Sequence, residues 1–96
     1  MSSPYFQPFT KYDSGEFSLG IETDYDAATQ STLFANCLNP KRVIIRSDVT
    51  MSVKFNSTSN SAVTINANTL FELDFCISKI FITTTAATAI KILLQE

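Results

Sequence analysis

The sequence predicts an all-β domain, built as an antiparallel β-sandwich or small barrel of jelly-roll-like form. Short stretches of alternating apolar and polar residues recur along the chain, and loops of Ser, Asn, Thr and Ala separate them at intervals of about 8–12 residues. No stretch has the strong periodicity of an amphipathic helix. The 96 residues suffice for one domain, and 45% of them are hydrophobic, so a single core can be filled.

Residues 1–14 are predicted to form an extended N-terminal arm, and residues 15–96 the sandwich domain. Pro4 and Pro8 interrupt regular backbone structure in the arm. The arm contains four large aromatic side chains, Tyr5, Phe6, Phe9 and Tyr12. Because disordered tails are poor in aromatic residues, these rings are expected to pack against a surface. That surface is either the arm's own domain or a neighbouring subunit.

The segment that follows the arm contains one clear strand and one ambiguous stretch. Residues 15–22 alternate and predict a strand. Its inward side chains would be Phe17, Leu19 and Ile21. The acidic residues 22–26 are expected to form an exposed loop. Residues 27–38 fit either a short helix capped by Asp24 or Asp26 or an extended segment, and the extended form is favoured.

The second half of the chain is more regular and brings the predicted total to six or seven strands. The predicted strands cover residues 42–47, 49–55, 62–67, 69–75, 76–85 and 89–95. In 49–55 the alternation is complete, so one face is apolar and the other polar. The stretch 76–85 is predicted to be the longest strand.

The last two strands carry apolar residues on both faces. Phe81 has an apolar neighbour on each side along its strand, and so does Leu93. A sandwich sheet normally has one face in water. If these strands form a terminal hairpin, its outer face needs a cover, supplied by the arm or by another chain.

The residue types that usually carry catalysis or bind metals are scarce. The chain has no histidine, which removes the commonest general base and the commonest metal ligand. Cys37 and Cys76 are expected to be reduced, buried apolar residues rather than a zinc site or a disulfide. Gly15 and Gly20 are the only glycines, so no glycine-rich phosphate loop exists.

The clustered carboxylates have ordinary explanations as solvated side chains. Glu72 and Asp74 are two positions apart and would form the wet face of their strand. The acidic residues 22–26 lack the ligand number and the glycine of a calcium loop. We therefore expect no enzyme, no catalytic residue, no cofactor and no metal.

Charge and hydropathy argue against nucleic-acid and membrane binding. Seven basic and nine acidic residues give a net charge of −2, and the basic residues are scattered. DNA and RNA binders usually show a basic stripe instead. No apolar run approaches the roughly 20 residues of a membrane helix, and the N-terminus does not resemble a signal peptide. The chain is expected to be made in a cytoplasm and to stay soluble or assembled there.

Residues 46–95 resemble small β-sandwich virion structural proteins of tailed bacteriophages. The resemblance lies in the stretch SDVTMSVKFNSTSNSAVTINANT, in FELDFCISKIFITTT and in the final AIKILLQ. It implies a capsid decoration or cement protein in the virion, made in the host cytoplasm. Its partners would be further copies of itself, as a homotrimer, and the major capsid protein. A head-fibre, neck or tail component, or a receptor- or glycan-binding module, is the alternative.

The expected function is therefore contact between subunits rather than chemistry. An extended arm that clasps a neighbour is frequent in proteins of the kind that the chain resembles. The residues expected at interfaces are Tyr5, Phe6, Phe9, Tyr12, Phe81 and Leu93. The glycan alternative is weakened because the chain has no Trp, and its three tyrosines lie outside the predicted strand core.

Overall fold

The structure, a computed structural model, describes residues 11–96 and contains eight strands. The strands are β1 (Tyr12–Leu19), β2 (Glu22–Asp26), β3 (Arg42–Ser47), β4 (Met51–Phe55), β5 (Val63–Ile65), β6 (Phe71–Asp74), β7 (Ile80–Thr84) and β8 (Thr88–Gln95). A single 3₁₀ turn, Ala27–Thr29, follows β2. The prediction of an all-β chain is confirmed, with eight strands rather than six or seven.

The strands form two four-stranded antiparallel sheets that pack face to face. Sheet A has the order β1-β8-β3-β6, and sheet B has the order β2-β7-β4-β5. Only the β4–β5 connection stays within one sheet, and every other connection crosses to the opposite sheet. Eight strands in this order make a jelly roll, in which two Greek keys are wound into a sandwich.

The core lies between the inward faces of the two sheets. Most of it comes from the four central strands, which are β3 and β4 together with β7 and β8, because each of them is paired on both sides. The last two strands of the chain, β7 and β8, supply about half of that contribution. The inward side chains of these two strands include Ile80, Ile82, Ile90, Ile92 and Leu94, all of them buried. Burying a side chain of this size stabilises the fold by about 1.5–3 kcal/mol, so the two strands account for much of the packing energy.

The predicted terminal hairpin is wrong, since β7 and β8 lie in different sheets. β7 pairs with β2 and β4, whereas β8 pairs with β1 and β3. The inward apolar faces of β7 and β8 therefore face each other across the core, and the two strands do not lie side by side in one sheet. Each strand is therefore flanked by polar or half-buried neighbours on its outer face.

The N-terminal half also differs from prediction at three places. β1 begins at Tyr12, three residues before the predicted domain start. Ile21 is 75% exposed, because β1 ends at Leu19 and Ile21 lies in the turn to β2. The acidic residues 22–26 form strand β2 rather than a loop, since they pair with β7 and a bulge accommodates Asp24 at φ 48°.

Residues 27–38 fit neither of the two predicted alternatives completely. The predicted cap is present, because Asp26 Oδ1 accepts a hydrogen bond from the Ala28 amide at 2.9 Å. The helix that it caps is only the three-residue 3₁₀ turn, and an irregular loop follows it as far as β3. The favoured extended segment is therefore wrong, because the loop is made of turns and bends and Phe34 has a positive φ of 56°.

The predicted long strand 76–85 is shorter than expected, because β7 begins only at Ile80. The Asn56 side chain holds the preceding turn. Its Oδ1 accepts from the Ser78 amide at 2.7 Å, and its Nδ2 donates to the Cys76 carbonyl at 3.1 Å. Because the Ser78 amide and the Cys76 carbonyl bond to Asn56, they do not pair with a neighbouring strand. β1 and β8, with eight residues each, are the longest strands.

Candidate functional site

The interface residues predicted from sequence fall on two different faces. Tyr12 lies on the outer face of sheet A, in register with Gln95 of β8, and Leu93 lies two positions further along that same face. Phe81 lies on the outer face of sheet B. Tyr5, Phe6 and Phe9 lie outside the described residues. The fold therefore places Tyr12 and Leu93 on one face and separates both from Phe81.

An apolar patch occupies the middle of the outer face of sheet A. Leu93 stands between Ser14 of β1 and Ile44 of β3, and both Leu93 and Ile44 are half-buried. Leu70, just before β6, is 66% exposed and lines the same groove of about 360 Å³. We name Ile44, Leu70 and Leu93 the sheet A patch.

Charged residues border the sheet A patch on one side. Glu16, Lys91 and Arg46 are in register across β1, β8 and β3, one row from Leu93. Lys91 Nζ lies 3.1 Å from Glu16 Oε1. An apolar centre with a charged rim is the usual anatomy of a contact surface between proteins.

The outer face of sheet B has a different character. Phe81 is half-buried there, and its neighbours across the strands are Asp26 of β2 and Lys54 of β4. Lys54 in turn pairs with Asp24 at 3.3 Å. Phe81 is thus an isolated ring among polar residues, and this face is less apolar than the sequence predicted.

A second concave surface lies beside β1, where the 30–41 loop passes along the strand. This open cleft has a volume of about 940 Å³. The side chains that line it are Lys11, Tyr12, Asp13, Ser14, Ser31, Thr32, Ala35, Asn36 and Leu38. We name it the β1 cleft. It adjoins the sheet A patch, because Ser14 lines both.

Asp13 fixes the wall of the β1 cleft. Its side chain points inward from β1 and is only 4% exposed. Its Oδ2 accepts hydrogen bonds from the backbone amides of Ala35 at 2.9 Å, Asn36 at 3.0 Å and Cys37 at 2.8 Å. A carboxylate that takes three consecutive amides holds the loop in one conformation, because hydrogen bonds to a charged acceptor are the strong ones.

Two further contacts anchor the same loop. The first is the burial of Leu33 and Cys37 in the core. Burial also raises the pKa of the Cys37 thiol to about 11, and the nearby charges of Glu96 and Asp13 raise it further in the same direction. A Cβ on Gly15 would lie 2.9 Å from Thr32 Oγ1, so only glycine allows this close approach without movement. The loop is therefore built against β1 at three points.

Sequence reasoning missed Asp13 because it assigned the residue to the arm. Had the alternation been extended back to Tyr12, an aspartate at an inward position would have stood out as a buried carboxylate in need of donors. No spacing along the chain identifies those donors, since they are 22–24 positions away.

The carboxylate pair on β6 has the outward orientation that the sequence predicted. Asp74 Oδ1 accepts from Arg42 Nε at 2.6 Å, and this hydrogen bond lowers the pKa of Asp74. Within residues 11–96, no three His, Cys, Asp or Glu side chains are grouped so that they could hold a metal ion. Over the same range no helix has the length and apolar character needed to cross a membrane.

Comparisons of the chain with protein-family models, with curated proteins and with solved structures found no match.

Proposed function

We propose that the chain is a virion structural protein of a tailed bacteriophage, a capsid decoration protein that acts through contacts with copies of itself and with the major capsid protein. The observation that carries the proposal is the sheet A patch. Leu93 lies on a central strand, next to Ile44, on a face that would be polar in a sheet exposed to water.

The position of the patch supports a contact role. Because β8 is paired on both sides, its apolar outer residue can be covered only from above the sheet. The rim formed by Glu16, Lys91 and Arg46 would fix the orientation of a partner more than it would add affinity. A contiguous apolar patch with a polar border is typical of interaction sites on small proteins.

Two further considerations favour a particle component. The jelly roll is a common architecture of viral capsid domains, although it also serves lectins, so the fold alone decides nothing. The resemblance of residues 46–95 to phage virion proteins adds the specific class. A homotrimer bound to a symmetric shell would repeat each weak contact several times, and repetition raises the overall affinity without new contacts.

The aromatic arm is the second contact element of this proposal. Its anchoring residues would be Tyr5, Phe6 and Phe9. Removal of residues 1–10 tests the arm cleanly, because it leaves β1 intact. A longer deletion that includes Asp13 would instead destroy the buried carboxylate that holds the 35–37 backbone.

The test measures solution mass by size-exclusion chromatography with light scattering, and then binding to phage heads that lack the protein. Wild type should be an oligomer that binds, and Leu93→Ser should reduce both mass and binding. Ala89→Ser, on the same strand and face, is the matched control and should change neither. A wild-type monomer that binds no particle would overturn the proposal. A loss of mass with Phe81→Ser but not with Leu93→Ser would assign the contact to sheet B instead.

A further inference from the structure

We propose that the β1 cleft is a saccharide-binding site, in which a sugar ring stacks on Tyr12 and is hydrogen-bonded by Ser14, Ser31, Thr32 and Asn36. This inference goes beyond the decoration role and does not depend on it. Four features of the cleft carry it: its shape, its rigidity, its uncommitted polar groups and its aromatic ring.

The cleft is large enough for a sugar and is already formed without one. Its volume of about 940 Å³ is near the upper end of the range of roughly 300–1,000 Å³ typical of ligand sites. Asp13 ties the loop to β1 through the 35–37 amides, and the loop approaches β1 closely again at Gly15. A preformed site avoids the entropy cost of ordering a loop on binding.

Four neutral polar side chains that line the cleft have no hydrogen-bond partner within residues 11–96. Neither the hydroxyls of Ser14, Ser31 and Thr32 nor the amide of Asn36 makes a hydrogen bond to that part of the chain. The buried threonines of the sandwich behave differently, because Thr84 and Thr88 both bond to backbone groups. Hydroxyl and amide groups donate and accept, which matches the hydroxyls of a sugar.

Tyr12 provides the surface for the apolar face of the sugar ring. It is 66% exposed at the rim of the cleft, and its hydroxyl has no hydrogen-bond partner within residues 11–96. Tyrosine suits this role because its ring is apolar and its hydroxyl can stay in contact with water. The exposed side chain of Leu38 extends the apolar part of the lining.

The charges in the cleft define the ligand further. Asp13 is buried and its Oδ2 is occupied by three amides, so this oxygen is not available to a ligand. Lys11 is the other charged residue of the lining and is exposed. A neutral or carboxylate-bearing saccharide fits this distribution, and a cationic ligand does not. An apolar peptide would match the sheet A patch better than this polar cleft.

The test begins with the full-length protein on an array of neutral and carboxylated saccharides, followed by NMR titration with the strongest binder. We expect specific binding, a loss of at least about tenfold in affinity for Tyr12→Ala, and a change of less than about threefold for Tyr12→Phe, which keeps the ring. Asn36→Ala should also weaken binding, because it removes the side-chain amide and leaves the backbone bond to Asp13 in place. Ser18→Ala, an exposed serine elsewhere on β1, is the matched control.

Two results would overturn the inference. One is the absence of binding to any saccharide on the array at millimolar protein concentration. The other is binding that Tyr12→Ala and Asn36→Ala leave unchanged. Neither result bears on the decoration role, because solution mass and binding to phage heads test that role through Leu93.

Discussion

Replacement of Asp13 by alanine should destabilise the protein far more than replacement of an exposed aspartate. The carboxylate is 4% exposed and accepts from three consecutive backbone amides, at 2.8 to 3.0 Å from Oδ2. Alanine leaves all three amides without an acceptor from the protein, and it leaves a void in the inward face of β1. The loss of stability should therefore be large, and the structural change should be confined to the 35–37 backbone.

The magnitude follows from how far each amide is from water. The Cys37 bond is buried, and a buried donor left unpaired costs about 1–3 kcal/mol. The Ala35 and Asn36 bonds are partly buried, so water can replace the carboxylate, and we assign roughly 0.5–1 kcal/mol to each. The sum is about 2–5 kcal/mol, a large share of the 5–15 kcal/mol typical of a domain. The melting temperature should fall by roughly 4–8 °C for each kcal/mol.

Urea unfolding followed by far-UV circular dichroism measures this difference, with Asp48→Ala as the control because that side chain is exposed. Native-state hydrogen exchange should show faster exchange at the Asn36 and Cys37 amides in Asp13→Ala. A loss of stability below about 1 kcal/mol, with unchanged exchange at these amides, would refute the account of Asp13 as the residue that holds the loop.

Four further predictions concern packing, thiol labelling, pH dependence and backbone conformation. Gly15→Ala should cost about 1–2 kcal/mol in urea unfolding, because its Cβ would crowd the loop, whereas Gly20→Ala, with no atom within 4 Å of its Cβ, should cost much less. At pH 8 a thiol reagent should label the exposed Cys76 and leave the buried Cys37 unmodified until the protein unfolds; equal rates would contradict the structure. Because burial raises the Cys37 pKa from 9.0 to about 11, the folded state keeps a proton that the unfolded chain loses in this range, so stability should fall as pH rises from about 9 to about 11. Asn56→Gly should lose the side-chain bonds but tolerate φ 71°, so it should be less destabilising than Asn56→Ala; the reverse order in thermal unfolding would show that backbone strain is negligible there.

The sheet A patch and the β1 cleft adjoin at Ser14, so the two proposed functions would operate side by side. A subunit contact on the patch would leave the cleft near the edge of that contact. Leu93→Ser and Tyr12→Ala are therefore best compared in both assays, for solution mass and for saccharide binding. Independent effects of the two variants would establish two separate surfaces.

The inward face of each regular strand could be predicted from the sequence alone. Side chains alternate across a strand because the backbone pleat has a period of two, so the pattern in β3, β4 and β8 could be interpreted locally. The outward positions of Leu93 and Phe81 followed from the same rule. Turn positions occupied by asparagine were also predictable, and Asn68, at φ 57°, shows why that residue type is used there.

The pairing of the strands, and hence the surroundings of each outward side chain, could be known only from the folded chain. β1 pairs with β8 from the opposite end of the chain, and the bonds from Asp13 span 22–24 positions. Such partners come together because the two sheets must close over one core. The local alternation of side chains does not specify which strands pair. For the same reason Leu93 joins an apolar patch while Phe81 stands among charges, although the two have the same apolar flanks in the sequence.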